Sequence, residues 1–215
     1  MRFDKKTDCI FDLDGTLIDS MPVWADRIYH LLDENKIAYP ADIIRIVAPM
    51  DNAAIADYLH DVLGLQLDAA EILDRMQAFI SADYRERIPA KATVPETLKA
   101  LKAAGLHLHV LTASPHSLTD VCLKRLGLWA LFDTVWSCED FALPKTDEQI
   151  YHRVCEKIGA TPAACVFADD NLLALTAAKK AGLTVVGVAD ESDAADSESI
   201  RKIADLYVET MKDIL

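Results

Sequence analysis

Two aspartates one residue apart, Asp12 and Asp14, lie in the stretch CIFDLDGTLIDS (residues 9–20), after an apolar run and before Gly15 and Thr16. A carboxylate can attack an electrophile, carry a proton or hold a hard metal ion. Side chains alternate along an extended segment, which would aim the two carboxylates apart, so the chain must leave the strand between them. Gly15 suits that turn. Further along, VLTAS supplies Thr112 and Ser114, PKTD supplies Lys145, and VFADDN supplies Asp169 and Asp170. Taken singly, such residues also serve as turn formers and helix caps. Their common placement behind short apolar runs argues for chemistry.

The elements that must position them are legible. Residues 8–11 read as a short buried strand. After residue 91 the pattern alternates: helix 95–104, Gly105 and strand 106–111; helix 116–126, Gly127 and strand 134–137; helix 147–158, Gly159 and strand 165–168; helix 171–181, Gly182 and strand 184–188. A last strand, LYV, follows an acidic connector over 189–199. Helix–glycine–strand repetition predicts an α/β fold, a Rossmann-like parallel sheet. In such sheets ligands bind beyond the carboxyl ends of the strands. Asp12, Asp14, Asp169, Asp170, Thr112, Ser114 and Lys145 therefore collect at one edge, as four carboxylates, two hydroxyls and one lysine. Clustered carboxylates demand a compensating cation, and Mg²⁺, with its preference for oxygen ligands, is the natural one.

Residues 19–90 have a helical texture. Ser20 is an expected N-cap with Pro22 in the first turn, and Trp24, Ile28, Leu31 and Leu32 form a stripe. Ile55, Leu59 and Val62 repeat it before Gly64, and Ile72, Met76, Phe79 and Ile80 do so again. The expected organisation is a catalytic core, 1–18 and 91–215, interrupted by an inserted α-helical cap, 19–90. Met50, Asp51 and Asn52 lie in the loop-like segment of the insert most apt to contribute to a site, although Asp51 or Asn52 would equally serve as a helix cap. The basic residues that stand out in the insert are Arg45, Arg75, Arg85 and Arg87.

FDLDGTL, VLTAS, Lys145 and VFADDNLLALTAAKKAG, in this order, resemble the four motifs of the haloacid dehalogenase superfamily, and the helical insert resembles the cap of its phosphatase and β-phosphoglucomutase-like branch. The resemblance covers essentially the whole chain. It implies Asp12 as nucleophile forming an aspartyl-phosphate, Asp14 as general acid and base, Thr112 and Lys145 on the phosphoryl group, and Mg²⁺ held by Asp12, Asp170, Asp169 and the carbonyl of Asp14. Thr16, Ser114, His116 and Asn52 are the expected substrate contacts, with the start of a surface helix as the other reading of His116. Asp14 argues against the dehalogenase and phosphonate-cleaving branches. Trp24 stands where the mutase branch carries a histidine. Lys145 is followed by threonine rather than the usual proline, and Asp170 by Asn171 rather than serine. The implied activity is hydrolysis of a small organic phosphomonoester, such as a sugar phosphate or phosphoglycolate, with a phosphomutase or a non-catalytic binding protein as alternatives.

Composition narrows the partners. Lys and Arg number 22 against 35 Asp and Glu, a formal charge of −13, which excludes a basic footprint for nucleic acid. No apolar run reaches the roughly 20 residues of a membrane span. Five cysteines without a CxxC pair read as reduced, mostly buried thiols. His107 and His109 read as ordinary strand residues. A cytoplasmic protein is expected, a monomer or weak dimer.

Overall fold

The structure, a computed structural model, describes residues 5–47, 50, 52–192 and 194–215. The chain forms two compact units, Met1–Asp19 with Ile88–Leu215, and Ser20–Arg87.

The first unit is built on a six-stranded sheet. Its strands are β1 (Asp8–Phe11), β2 (His107–Thr112), β3 (Thr134–Ser137), β4 (Cys165–Asp169), β5 (Thr184–Val188) and β6 (Leu206–Val208). They lie in the order β3-β2-β1-β4-β5-β6, and every neighbouring pair is parallel. The order reverses at β1, which pairs with β2 on one side and β4 on the other. In open sheets of this kind ligands bind at the carboxyl ends of the strands beside such a reversal. Ile10, Leu111, Phe167 and Val185 are fully buried in the main core cluster, as strands covered on both faces require.

The second unit is helical: α1 (Met21–Glu34), α2 (Ile43–Val47), α3 (Asn52–Asp57), a π-helical turn (Tyr58–Val62) and α4 (Ala69–Glu86). Ile28, Leu31, Leu32, Ile55, Leu59, Ile72 and Met76 pack into one apolar cluster. Two expectations need correction. Ser20 takes the N-cap position of α1 but makes no side-chain capping bond. Val62, expected on the buried stripe, is 64% exposed, because the wide turn over Tyr58–Val62 shifts the helical register and rotates Val62 away from the face of Ile55 and Leu59.

The sheet is accompanied by α5 (Val94–Ala103), α6 (His116–Arg125), α7 (Glu148–Ile158), α8 (Leu172–Lys180) and α9 (Ser197–Ile203). Asp147 caps α7 by accepting from the Gln149 N–H at 2.9 Å, and Gly159 ends the helix at φ 72°. Asn171, at the expected start of α8, lies outside the helix and caps it, accepting from the N–H groups of Leu173 and Ala174 at 3.0 and 3.2 Å. Among the described residues no helix is long and apolar enough to cross a membrane. All five cysteines are free thiols.

Candidate active site

The site of the first unit grows from the ends of β1, β2 and β4. Asp12 remains in the ladder one step past β1, its N–H donating to the Ala168 carbonyl at 2.9 Å. The chain then turns. The N–H groups of Leu17 and Ile18 donate to the Leu13 carbonyl, the Gly15 N–H donates to the Ile18 carbonyl, and Gly15 sits at φ 76°. A β-carbon there would overlap the Asp170 carboxylate, so glycine serves close approach as well as the turn.

Lys145 reaches Asp12 Oδ1 at 2.6 Å and Asp169 Oδ2 at 2.8 Å. Its loop is held by the Tyr151 hydroxyl, which lies 2.8 Å from the Lys145 carbonyl and 3.0 Å from that of Ala174. Asp169 also accepts from the Asn171 N–H at 2.7 Å. Thr16, expected on the substrate, gives its hydroxyl to Asp170 Oδ1 at 2.6 Å and so orients that carboxylate. The Ser114 hydroxyl donates to Asp14 Oδ2 at 2.6 Å, and the Ser114 N–H to Thr112 Oγ1 at 3.0 Å. Asp12, Asp14, Thr16, Thr112, Ser114, Lys145, Asp169 and Asp170 are thus joined around one edge of one sheet.

Charge is concentrated here with little solvent. Asp12 is only 4% exposed. Burial pushes its carboxyl up to about 8, the pull of Lys145 offsetting only part of the desolvation, with Asp169 and Asp14 adding repulsion. Asp170 is also driven well above the usual carboxylate range, by burial and then by Asp169 and Asp12. Burial opposes the charge of Lys145, but its ion pairs with Asp12 and Asp169 more than reverse that and raise it.

A divalent cation fits this donor set. Asp12, Asp169 and Asp170 each present an oxygen, and these oxygens lie within 4.8 Å of one another. Three buried carboxylates share one ammonium group, leaving an excess of negative charge that a hard, oxygen-preferring ion such as Mg²⁺ neutralises. The Asp14 side chain is outside this trio and engaged with Ser114, which leaves the backbone carbonyl as its route to a metal.

Two expected substrate contacts are engaged elsewhere. Both ring nitrogens of His116 meet carboxylates, Nδ1 to Asp120 and Nε2 to Asp140, each at 2.9 Å. Hydrogen bonds to these two carboxylates raise its pKa. His116 stands at the start of α6. Asn52 belongs to the helical unit, where it accepts a hydrogen bond from Arg27; Asp51 lies outside the described residues.

Sequence reasoning does not single out Lys91. Its ammonium group donates to the carbonyls of Gly15 (2.6 Å) and Ala189 (2.8 Å) and pairs with Asp190 Oδ2 at 2.8 Å. It ties the turn after Asp14 to the loop after β5. Two of its partners are backbone carbonyls, which leave no sequence pattern. Nor does sequence reasoning find the buried pair at the opposite ends of the strands, Asp8 Oδ1 with His109 Nε2 at 3.0 Å, extended by His109 Nδ1 to Thr134 Oγ1 at 2.7 Å.

Comparison with known proteins bears on the family and the fold. A family model described as haloacid dehalogenase-like hydrolase matches residues 9–188. The chain is 30% identical over 214 residues to the pyrophosphatase PpaX of Bacillus velezensis, covering 99% of this chain and 96% of that one. It is 28% identical over 203 residues to a phosphoglycolate phosphatase of Colwellia psychrerythraea, covering 87% and 86%. In fold it is similar to a candidate β-phosphoglucomutase of Thermotoga maritima, with a TM-score of 0.85 at 22% identity over 97% of both chains.

Proposed function

The chain belongs to the haloacid dehalogenase-like hydrolase family and is a phosphatase of it; we propose that it hydrolyses a small organic phosphomonoester with Asp12 as nucleophile and Mg²⁺ as cofactor. The observation that carries this reading is Lys145 held between Asp12 and Asp169 at the carboxyl edge of the sheet, beside Asp14 and Thr112.

An Asp12 oxygen attacks phosphorus, and the bond from phosphorus to the leaving-group oxygen breaks. Asp14 gives that oxygen its proton. Ser114 donates to Asp14 Oδ2 and orients that carboxyl group. Water then attacks the phosphorus of the aspartyl-phosphate, its proton goes to Asp14, and inorganic phosphate leaves with Asp12 restored. Lys145 favours ionised Asp12 and meets the phosphoryl charge, and the Thr112 hydroxyl orients the phosphoryl oxygens. Mg²⁺ held by Asp12, Asp170, Asp169 and the Asp14 carbonyl would neutralise charge on the phosphoryl group and on Asp12.

The testing experiment follows phosphate release from an aryl phosphate, with Mg²⁺ and with chelator, for the native chain and Asp12→Asn. Release that needs both the metal and Asp12 supports the reading, and a panel of small phosphate esters then finds the substrate. Turnover surviving Asp12→Asn overturns the mechanism. Conversion of a sugar phosphate to its isomer, dependent on a bisphosphate and without net phosphate release, would make the protein a mutase.

A further inference from the structure

Within the helical unit, Arg27 is 7% exposed. Its guanidinium carbon Cζ lies over the Trp24 ring, 4.9 Å from the ring centroid. Its Nη2 donates to Asn52 Oδ1 at 3.0 Å, and its Nε is buried without a hydrogen-bond partner. Among the described residues no carboxylate pairs with it, and burial disfavours its charge. An arginine does not lose its proton, so this is a buried cation held by an aromatic face and a neutral amide. Buried charges are paired in stable proteins because desolvation is otherwise uncompensated. This arrangement suits an oxyanion as partner. The Trp24 face holds the cation, the planar fork matches an oxyanion, and Asn52, whose oxygen is taken by Arg27, has an NH₂ group to donate. Asn52 is exposed, so the cluster opens to solvent on its side.

We propose that Trp24, Arg27 and Asn52 form an oxyanion-binding site of the helical unit, for a carboxylate or phosphate group. The ligand is small and acidic. It is either a substituent of the phosphate ester itself or a free anion, and the two sources separate experimentally. Only the kinetic arm rests on the phosphatase reading.

The first arm needs no turnover. Thermal unfolding of the whole chain is followed in chelator with malonate added, for the native protein, Arg27→Met and Asn52→Asp. A ligand that binds only the folded state raises Tm with concentration. The expected result is a concentration-dependent rise in the native protein that Arg27→Met lacks. Asn52→Asp places a carboxylate next to the guanidinium; it should raise Tm without added anion and abolish the anion response, which keeps the test decisive if Arg27→Met does not fold. No rise in the native protein overturns the proposal. So does an anion response that survives in Asn52→Asp. In the second arm, the ratio of kcat/KM for 2-phosphoglycolate to that for ethyl phosphate is compared. A roughly 10- to 100-fold fall in this ratio in Arg27→Met assigns the anion to the ester. An unchanged ratio, with malonate altering KM for both esters alike, assigns it to a free anion and overturns the ester assignment.

Discussion

The Asp170 carboxylate fills the space that a side chain on Gly15 would need. Residues from the first and fourth strand ends are thereby in direct contact, with the Thr16 hydroxyl fixing Asp170 from the adjoining position. Gly15→Ala would both strain a residue at φ 76° and displace Asp170. The expected result is a fall in turnover of about 100-fold, the scale of a small misplacement of reacting groups, with a stability loss of about 1 kcal/mol or more. Initial rates and urea unfolding of the variant check both.

Asp12 makes the metal-free protein sensitive to pH. Its folded pKa, about 8, lies above the unfolded value of about 3.9. The folded state therefore holds this proton more tightly. Stability from this group is complete below pH about 4 and is lost as pH rises toward about 8. In chelator, the urea midpoint of the native chain should decline between pH 5 and 8, and Asp12→Asn should flatten that decline. Mg²⁺ should bind more weakly as pH falls below about 8 and should release protons on binding. Titration calorimetry in buffers of different ionisation enthalpy measures that release.

Lys91 carries a second prediction about position. Lys91→Met leaves the Gly15 and Ala189 carbonyls without their donor and Asp190 without its counter-charge. Stability should fall by about 2 kcal/mol. Turnover should fall about 10-fold as the turn after Asp14 loosens, while Lys91→Arg restores part of both. A Lys91→Met enzyme with native kcat would show that the turn holds its geometry without this tie.

The pair at the other end of the sheet should govern acid stability. Burial lowers the His109 pKa, and its hydrogen bond and attraction to Asp8 only partly oppose that. The unfolded chain thus binds this proton more readily than the folded one. Stability should fall as pH drops below about 6.5. His109→Gln should have a shallower loss of urea midpoint between pH 7 and 5; an identical slope would remove His109 from the account.

Much of this was legible before the structure. Strands β1, β4 and β5 are short apolar runs, and the glycines that close the preceding helices mark where β2, β4 and β5 follow. Because parallel strands deliver their carboxyl ends to one edge, Asp12, Thr112 and Asp169 could be gathered from sequence order alone. Lys145 was readable from its place before the cap of α7. Other features depend on distances that no local pattern encodes. Thr16 meets Asp170 across most of the chain, and Lys91 binds carbonyls. Val62 left its expected face because one widened turn changed the period that the pattern assumes. Arg27 lies on the apolar side of α1, where a lone basic residue breaks the expected stripe, and only its burial shows it to be more than a surface charge.

The bridge between Ile18 and Ala90 has a further consequence. The passage leaving the sheet and the passage returning to it are laced together by that antiparallel bridge, by the Asp19 N–H on the Pro89 carbonyl at 3.0 Å and by the Lys91 N–H on the Leu17 carbonyl at 3.0 Å. Residues 20–87 are therefore, for the sheet, a single long hairpin loop whose neck is already tied. The entropy of closing a loop grows only slowly with its length. A neck of this kind lets a lineage lengthen, shorten or exchange the intervening segment without redesigning the catalytic edge, so recombination at residues 19 and 88 is a natural grafting point for new specificities.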